Sequence, residues 1–333
     1  MKAGVFVTNL KKILVLISAL LMMVSVMSFS AGAEVYSGKT SAKAAVMMEA
    51  DTGQILYAVN PSLKLPMAST TKIMTALITL EQPNLDEEFV VDKTAIRVEG
   101  SSMGLKEGDV VTLRALATGM LLVSGNDAAN AAAVRIAGSL PAFAQLMNQK
   151  AQELGMTNTH FVTPSGLDDK DHYSTAEDMA KLAAAALQNE EFISICSSKS
   201  IRLTYGGYTR RLHNSNKMLK LFEGAIGVKT GFTKKSGRCL VSAAERDGIR
   251  LIVVTLCDPD DWDDHTNLLN AGFEALQPVE LCPKDLSYEL AVAGTGKTVR
   301  VVPKGDQVIG LTAEDLARLK RVTWLPRFVY APV

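Results

Sequence analysis

The chain has 333 residues, 47% of them hydrophobic, and its 35 lysines and arginines balance 35 aspartates and glutamates. That composition excludes a disordered or fibrous chain and leaves length for a large core plus a smaller second unit. Zero net charge argues against a broad nucleic-acid surface, so no nucleic-acid partner is expected.

Lys2, Lys11 and Lys12 precede an apolar run from Ile13 to about Phe29, and Ala31-Gly32-Ala33 follows as a small-x-small cleavage site. This reads as a secretory signal peptide, residues 1–33, cleaved after about Ala33; an uncleaved anchor is the alternative. The mature protein is expected outside the cytoplasm. Its cysteines, Cys196, Cys239, Cys257 and Cys282, fit no zinc spacing and are too sparse for a disulfide scaffold. Buried free thiols are the expectation, with Cys239 and Cys257 the best-placed pair.

Ala44 to Met48 and Gln54 to Asn60 read as strands joined by the turn EADTG; the first is continuously apolar, as in a sheet covered on both faces. Pro66 to Glu81, PMASTTKIMTALITLE, reads as a helix with Ile73, Ala76, Leu77 and Leu80 on one face. Its first turn carries Ser69 and Lys72 at the head of the buried stripe. A hydroxyl and an amine three residues apart on a helix can touch, and form a nucleophile with its base if the site is dry enough to depress the lysine. Read alone, Ser-x-x-Lys is common by chance, and Ser69 is equally an N-cap and Lys72 a snorkelling lysine.

Short strands follow at Phe89 to Val91 and Val110 to Thr112, around a loop punctuated by Gly100, Gly104 and Gly108. Thr112 to Val123 and Asp127 to Ala137 are helices separated by Ser124-Gly125-Asn126, where Asn126 or Asp127 would serve as cap. Pro141 to Leu154 is a further helix. His160 to Tyr173 reads as a solvated loop, because Asp168, Asp169, Asp171 and His172 lack a metal-ligand spacing; no metal is expected. Ser174 and Glu177 form a capping box for a helix to about Leu187. Ile201 to Leu212 is a hairpin, LHNSN a polar loop, and Ala225 to Gly231, Arg238 to Glu245 and Arg250 to Leu256 are strands. Asp261 to Leu276 is a helix. Strands at both ends of a helical middle give an α/β (α+β) fold class: one antiparallel sheet flanked by helices with a helical subdomain, over residues 34–277.

Pro278 marks a boundary, and residues 278–333 read as a small, mainly β domain with strands at Ser287 to Ala293 and Thr298 to Pro303 and a short helix from Leu311 to Arg321. Ala291 to Thr298, AVAGTGKT, approximates a phosphate-binding loop, but VRVVP follows where a helix is needed, so it reads as a hairpin turn and no nucleotide cofactor is expected.

Ser69-Thr70-Thr71-Lys72, Ser124-Gly125-Asn126 and Lys229-Thr230-Gly231 occur in that order, on a helix start, an inter-helix turn and a strand. The ordered set carries far more information than its members. With the stretches TPSGLDDKDHYSTAEDMA and GVKTGFT, the chain from Ala44 to Leu276 resembles the low-molecular-mass penicillin-binding proteins, in particular the serine D-alanyl-D-alanine carboxypeptidases.

The resemblance implies that Ser69 attacks the carbonyl between two terminal D-alanines and Lys72 takes its proton. Ser124 would relay a proton to the leaving amine, and Asn126 would orient Lys72 and the substrate amide. Lys229, Thr230 and Thr233 would hold the terminal carboxylate beside Gly231, and the N–H groups of Ser69 and Phe232 would form the oxyanion hole. The expected substrate is a peptidoglycan stem peptide, β-lactams are expected as covalent inhibitors, and no cofactor is implied. Phe232 stands where many members have histidine. An arginine that often helps hold the carboxylate would fall near Asp261 to Asp264, where this chain has none. The chain ends in TWLPRFVYAPV, where that family often has an amphipathic membrane-binding helix, so peripheral membrane attachment is unsupported and the second domain stops short of the family pattern. A β-lactamase is the nearest rival, but the Glu-x-x-Leu-Asn pentapeptide of class A enzymes is absent. A silent peptidoglycan-binding protein is the rival from another class.

Overall fold

The computed structural model describes residues 35–281, 287–302, 308–320 and 328–329; the expected signal peptide, Cys282 and Pro303 lie outside them. Strands β1 (Ala44–Glu49) and β2 (Ile55–Val59) form the N-terminal hairpin, and the Glu49 carboxylate accepts the N–H and hydroxyl of Thr52 in its turn. This hairpin joins three strands from far along the chain, β7 (Ala225–Thr233), β8 (Gly237–Arg246) and β9 (Ile249–Leu256). The order is β2-β1-β9-β8-β7, antiparallel throughout, with β7 at one edge.

The pleat explains why β1 is apolar at nearly every position. Ala44, Val46 and Met48 enter one core, and Ala45 and Met47 enter another on the opposite face. Leu268 and Leu269 of helix α8 (Asp261–Ala275) close the second face. The first is covered by the helical middle of the chain: α1 (Lys72–Leu80), α2 (Leu113–Val123), α3 (Asn126–Ala137), α4 (Leu140–Glu153), α5 (Ala176–Ala186) and α6 (Glu190–Cys196). All nine residues of α1 are buried, so it is a core helix and not an amphipathic one. It packs against α2, α3 and α5.

Local chemistry sets the helix ends. Thr112, Ser139, Thr175 and Asn189 each accept a backbone N–H at an N-cap. Thr175, not the expected Ser174, caps α5; the Ser174 hydroxyl is spent on Thr159 at 2.8 Å. The short pair β3 (Phe89–Val90) and β4 (Val110–Val111) and the hairpin β5 (Ser200–Tyr205) and β6 (Tyr208–His213) lie outside the main sheet, and one turn of helix, α7 (Met218–Leu221), precedes β7.

Toward the C-terminus, β10 (Leu276–Glu280) pairs with β13 (Val308–Thr312), and Pro278 lies inside β10. The AVAGTGKT stretch turns between β11 (Tyr288–Val292) and β12 (Lys297–Val301), a hairpin as expected, and β14 (Phe328–Val329) runs parallel to β11. A short helix, α9 (Ala313–Arg318), follows β13, and Gln54 Nε2 donates to its Asp315 at 2.7 Å.

Candidate active site

Ser69 does not begin an α-helix. It sits in a 3₁₀ turn, Ala68–Thr71, that runs straight into α1 at Lys72. The tighter turn still places the pair in contact: Lys72 Nζ lies 2.9 Å from Ser69 Oγ. Strand β7 packs against this turn, with Gly231 at the closest approach. A Cβ on Gly231 would lie 3.0 Å from the carbonyl oxygen of Met67 and 3.1 Å from the amide nitrogen of Ser69. Only glycine lets the strand come so near.

Lys72 has no exposed surface, and Lys229 of β7 is 1% exposed. Burial pushes the Lys72 amine well below the ordinary lysine range; the charge of Lys229 adds to this, and the Asp127 carboxylate opposes it. Burial brings Lys229 down to about 7. Lys229 Nζ donates to the carbonyl of Thr230 at 2.7 Å, and Lys72 Nζ to the carbonyl of Ser165 at 2.6 Å.

Ser165 belongs to the loop expected to be solvated. The structure corrects that reading: Pro164, Ser165, Gly166 and His172 are buried, whereas Asp168 and Asp171 are exposed. Thr75 donates to the Pro164 carbonyl at 2.6 Å, and a Cβ on Gly166 (φ +81°) would fall 2.0 Å from the Ala68 carbonyl oxygen. His172 pins the loop from the other side. Its Nδ1 accepts the N–H groups of Val162 (2.9 Å) and Thr163 (3.3 Å), which fixes the proton on Nε2, donated to Thr71 at 2.8 Å. Burial lowers its pKa to about 4.

Ser124 ends α2 in the left-handed conformation (φ +60°) and lines the same cavity as Ser69. Asn126 is 4% exposed. Its N–H donates to Ser101 and its side-chain amide to Glu99, both at 2.7 Å, while Oδ1 is buried without a partner. Lys72 is thus oriented by Ser165, not by the Asn126 bond the resemblance implied. Asp127, which the sequence offered only as a cap, gathers the loop before it: its carboxylate accepts the N–H groups of Met103, Gly104 and Leu105 and the Ser102 hydroxyl.

A cavity of about 330 Å³ opens over the pair, lined by Ser69, Ser101, Val123, Ser124, Ser215, Thr230, Gly231, Phe232, Arg238, Asp261 and Trp262. Five of the predicted residues, Ser69, Ser124, Thr230, Gly231 and Phe232, meet there, and Phe232 is 65% exposed. Thr233 is the last residue of β7, its hydroxyl bonded to Asp168 and Ser236 at 3.0 Å each. Sequence reasoning missed Ser215, whose hydroxyl is 3.3 Å from that of Thr230, and could place neither Arg238, which lines the cavity from β8, nor Arg250. Arg238 pairs with Asp261 and leaves its Nε buried without a partner. The signal was Asp261 itself, an acid in the region where an arginine was sought. Arg250 is elsewhere, on Glu245 and the Leu187 carbonyl. A larger groove of about 600 Å³ between the β3–β4 pair and α3 has no serine or cysteine in its lining. Among the described residues no cluster fit for a metal ion occurs, and Cys196, Cys239 and Cys257 are free thiols.

The profile of the peptidase S11 family, described as D-alanyl-D-alanine carboxypeptidase, matches residues 29–260. The chain is 37% identical over 258 residues to D-alanyl-D-alanine carboxypeptidase DacF of Bacillus subtilis, covering 72% of this chain and 65% of that protein. It is 36% identical over 241 residues to DacB2 of Mycobacterium tuberculosis, covering 70% of this chain and 82% of that one. The crystal structure of the Streptomyces K15 DD-transpeptidase superposes with a TM-score of 0.68 at 33% identity, over 72% of this chain and 99% of that one. DacD of Francisella tularensis superposes with a TM-score of 0.70 at 28% identity, over 90% and 87%.

Proposed function

The chain belongs to the peptidase S11 family of serine D-alanyl-D-alanine carboxypeptidases, and from that we propose that it removes the terminal D-alanine from peptidoglycan stem peptides through an acyl-enzyme on Ser69. The observation that carries this is the Ser69–Lys72 contact of 2.9 Å with both lysines buried. A protonated amine cannot take a proton. Burial and the neighbouring cation make the neutral form of Lys72 accessible, which is what general-base activation of a serine requires.

In this reading Ser69 Oγ attacks the carbonyl carbon as its proton passes to Lys72. The oxyanion is held by the N–H groups of Ser69 and of Phe232, the residue after Gly231, where β7 approaches the Ser69 turn. The C–N bond breaks, the leaving amine takes a proton through Ser124, and water then hydrolyses the acyl-enzyme. The orphaned Oδ1 of Asn126 is an acceptor awaiting the substrate amide N–H. The terminal carboxylate lies against Thr230, Ser215 and Arg238, with Lys229 beneath; the Arg238 fork takes the part of the arginine missing near Asp261. β-Lactams acylate Ser69 and leave slowly. A peptidoglycan substrate calls for an enzyme on the outer side of the membrane, as does the signal peptide expected at residues 1–33; among the described residues no helix is long and apolar enough to cross a bilayer.

The test is intact-mass spectrometry of the mature protein with benzylpenicillin, beside Ser69→Ala, followed by an assay of D-alanine release. A lasting adduct on the wild type alone, with release of D-alanine, is the expected result. Penicillin hydrolysed without an adduct makes the protein a β-lactamase; penicillin untouched makes it a binding protein.

A further inference from the structure

The charge of this neutral chain is unevenly distributed. Between Glu191 and Glu223 there is no carboxylate, while Lys199, Arg202, Arg210, Arg211, Lys217 and Lys220 fall in that stretch. Arg202, Arg210 and Arg211 lie in the β5–β6 hairpin, whose register sorts the side chains onto two faces. Ile201 with Leu212, Leu203 with Arg210 and Tyr205 with Tyr208 form the inner face. There the Tyr205 hydroxyl donates to the Met103 carbonyl at 2.6 Å, and Arg210 lies over the Tyr205 ring and donates to the carbonyls of Met103 and Gly104.

The outer face carries three rungs: Ser200 with His213, Arg202 with Arg211, and Thr204 with Thr209. Arg202, Thr204, Thr209, Arg211 and His213 are all exposed. Like charges directly opposite in an antiparallel pair destabilise it. Here two guanidiniums face each other, and among the described residues no carboxylate pairs with either. Arg210, one residue from Arg211, does structural work on the inner face; Arg202 and Arg211 do none. The hydroxyls of Thr204 and Thr209 are 2.8 Å apart in the next rung, so guanidinium and hydroxyl rungs alternate at about 7 Å, the two-residue repeat of a strand. Planar forks beside hydroxyls are the donor set for phosphate, and a chain of phosphodiesters repeats on that length scale.

We propose that the outer face of the β5–β6 ribbon docks a phosphodiester polyanion of the cell envelope, a glycerol-phosphate type of polymer, and so tethers the enzyme beside its substrate. The choice of an envelope polymer rests on the proposed function, which puts the enzyme outside the cytoplasm. Anionic lipid is disfavoured because the outer rungs present no apolar side chain for insertion. The ribbon leads through His213 and Asn214 to Ser215 in the cavity wall, and Lys217 stands 5.9 Å from the centroid of Trp262 in that wall, so a tethered polymer lies near the cavity mouth.

The experiment compares wild type with Arg202→Gln/Arg211→Gln, whose thermal midpoint is checked first; both residues are exposed, so it should not fall. Binding to immobilised poly(glycerol phosphate) is measured between about 50 and 200 mM salt, with mixed phosphatidylglycerol–phosphatidylcholine vesicles and a short D-Ala-D-Ala peptide as parallel arms. Expected are salt-sensitive binding by wild type, affinity at least tenfold weaker in the variant with a flatter salt slope, and unchanged kinetics on the short peptide. Absence of wild-type binding, equal binding by the variant, or binding to vesicles but not polymer overturns the proposal. A raised KM on the short peptide overturns it too, since the arginines would then belong to the substrate site. Failure of wild type to react with penicillin or peptide would instead strike the proposed function and leave the polymer result standing.

Discussion

A lysine side chain without exposed surface holds its proton poorly, and this site contains two. Lowering the pH protonates Lys72 and removes the base, so kcat/KM falls on the acid side. Raising the pH through about 7 takes the charge from Lys229, which the proposed hold on the substrate carboxylate needs, so kcat/KM falls on the alkaline side as well. The charge of Lys229 helps lower Lys72, so the acid limb of the profile depends on both lysines. A pH–rate profile of D-alanine release should be bell-shaped, and Lys72→Met should reduce the acylation rate by about 10³-fold or more at every pH. Arg238 keeps its charge throughout. Arg238→Gln should raise KM for the peptide about tenfold with a smaller effect on kcat, because a charged hydrogen bond to the carboxylate is worth about 1.5–3 kcal/mol. An unchanged KM would remove Arg238 from the carboxylate site.

Strand β7 and the Thr163–Ser165 loop approach the Ser69 turn as separate elements. Gly231→Ala would set a methyl 3.0–3.1 Å from main-chain atoms of Met67, Ser69 and Thr70, and backbone cannot yield as a side chain does. Acylation by benzylpenicillin should slow at least tenfold, with a smaller loss in thermal midpoint. His172→Ala frees the loop whose Ser165 carbonyl holds Lys72, so it should lower kcat more than it raises KM and shift the acid limb of the profile. The elements that carry motifs were readable because periodicity and turn residues are local. Ser69, Ser124 and Lys229 were placed at a helix start, an inter-helix turn and a strand, and each is there but for the 3₁₀ turn before Lys72. What could not be read is non-local. Nothing in HFVTPSGLDDKDHY says that its carbonyls face Lys72 and Thr75 about 90 residues earlier, and nothing near Arg238 says that Asp261 will hold it. Burial of His172 depends on Thr71, which only the folded chain brings to it.

Across the whole molecule, acid stability depends on buried groups on both faces of the sheet. His172 is brought by burial to about 4, and His265 of α8, held between Ser242 and Thr255 of the sheet, to about 3. Unfolded, each binds its proton near pH 6.5. Between 6.5 and those lower values the unfolded chain binds protons that the folded chain does not, so stability falls as the pH falls, by roughly 3–5 kcal/mol for each histidine if taken to completion. Asp258 acts in the opposite sense: burial and then the nearby Asp264 raise it to about 6, so the folded form takes its proton first and gains stability as the pH drops from 6 toward 4. The histidines outweigh it. The thermal midpoint should decline from pH 6.5 downward, and His265→Gln should start lower at pH 7 but decline less. Equal slopes in the two proteins would exclude His265 as a cause.

The two buried lysines also bear on how this protein would behave under artificial selection. Each occupies a site that a methionine or leucine would fill without the desolvation of an amine. A library screened for heat resistance alone should therefore enrich apolar residues at 72 and 229, and its best survivors would be robust folds that no longer react with penicillin. A fluorescent penicillin that labels only competent molecules would have to be part of the sorting gate.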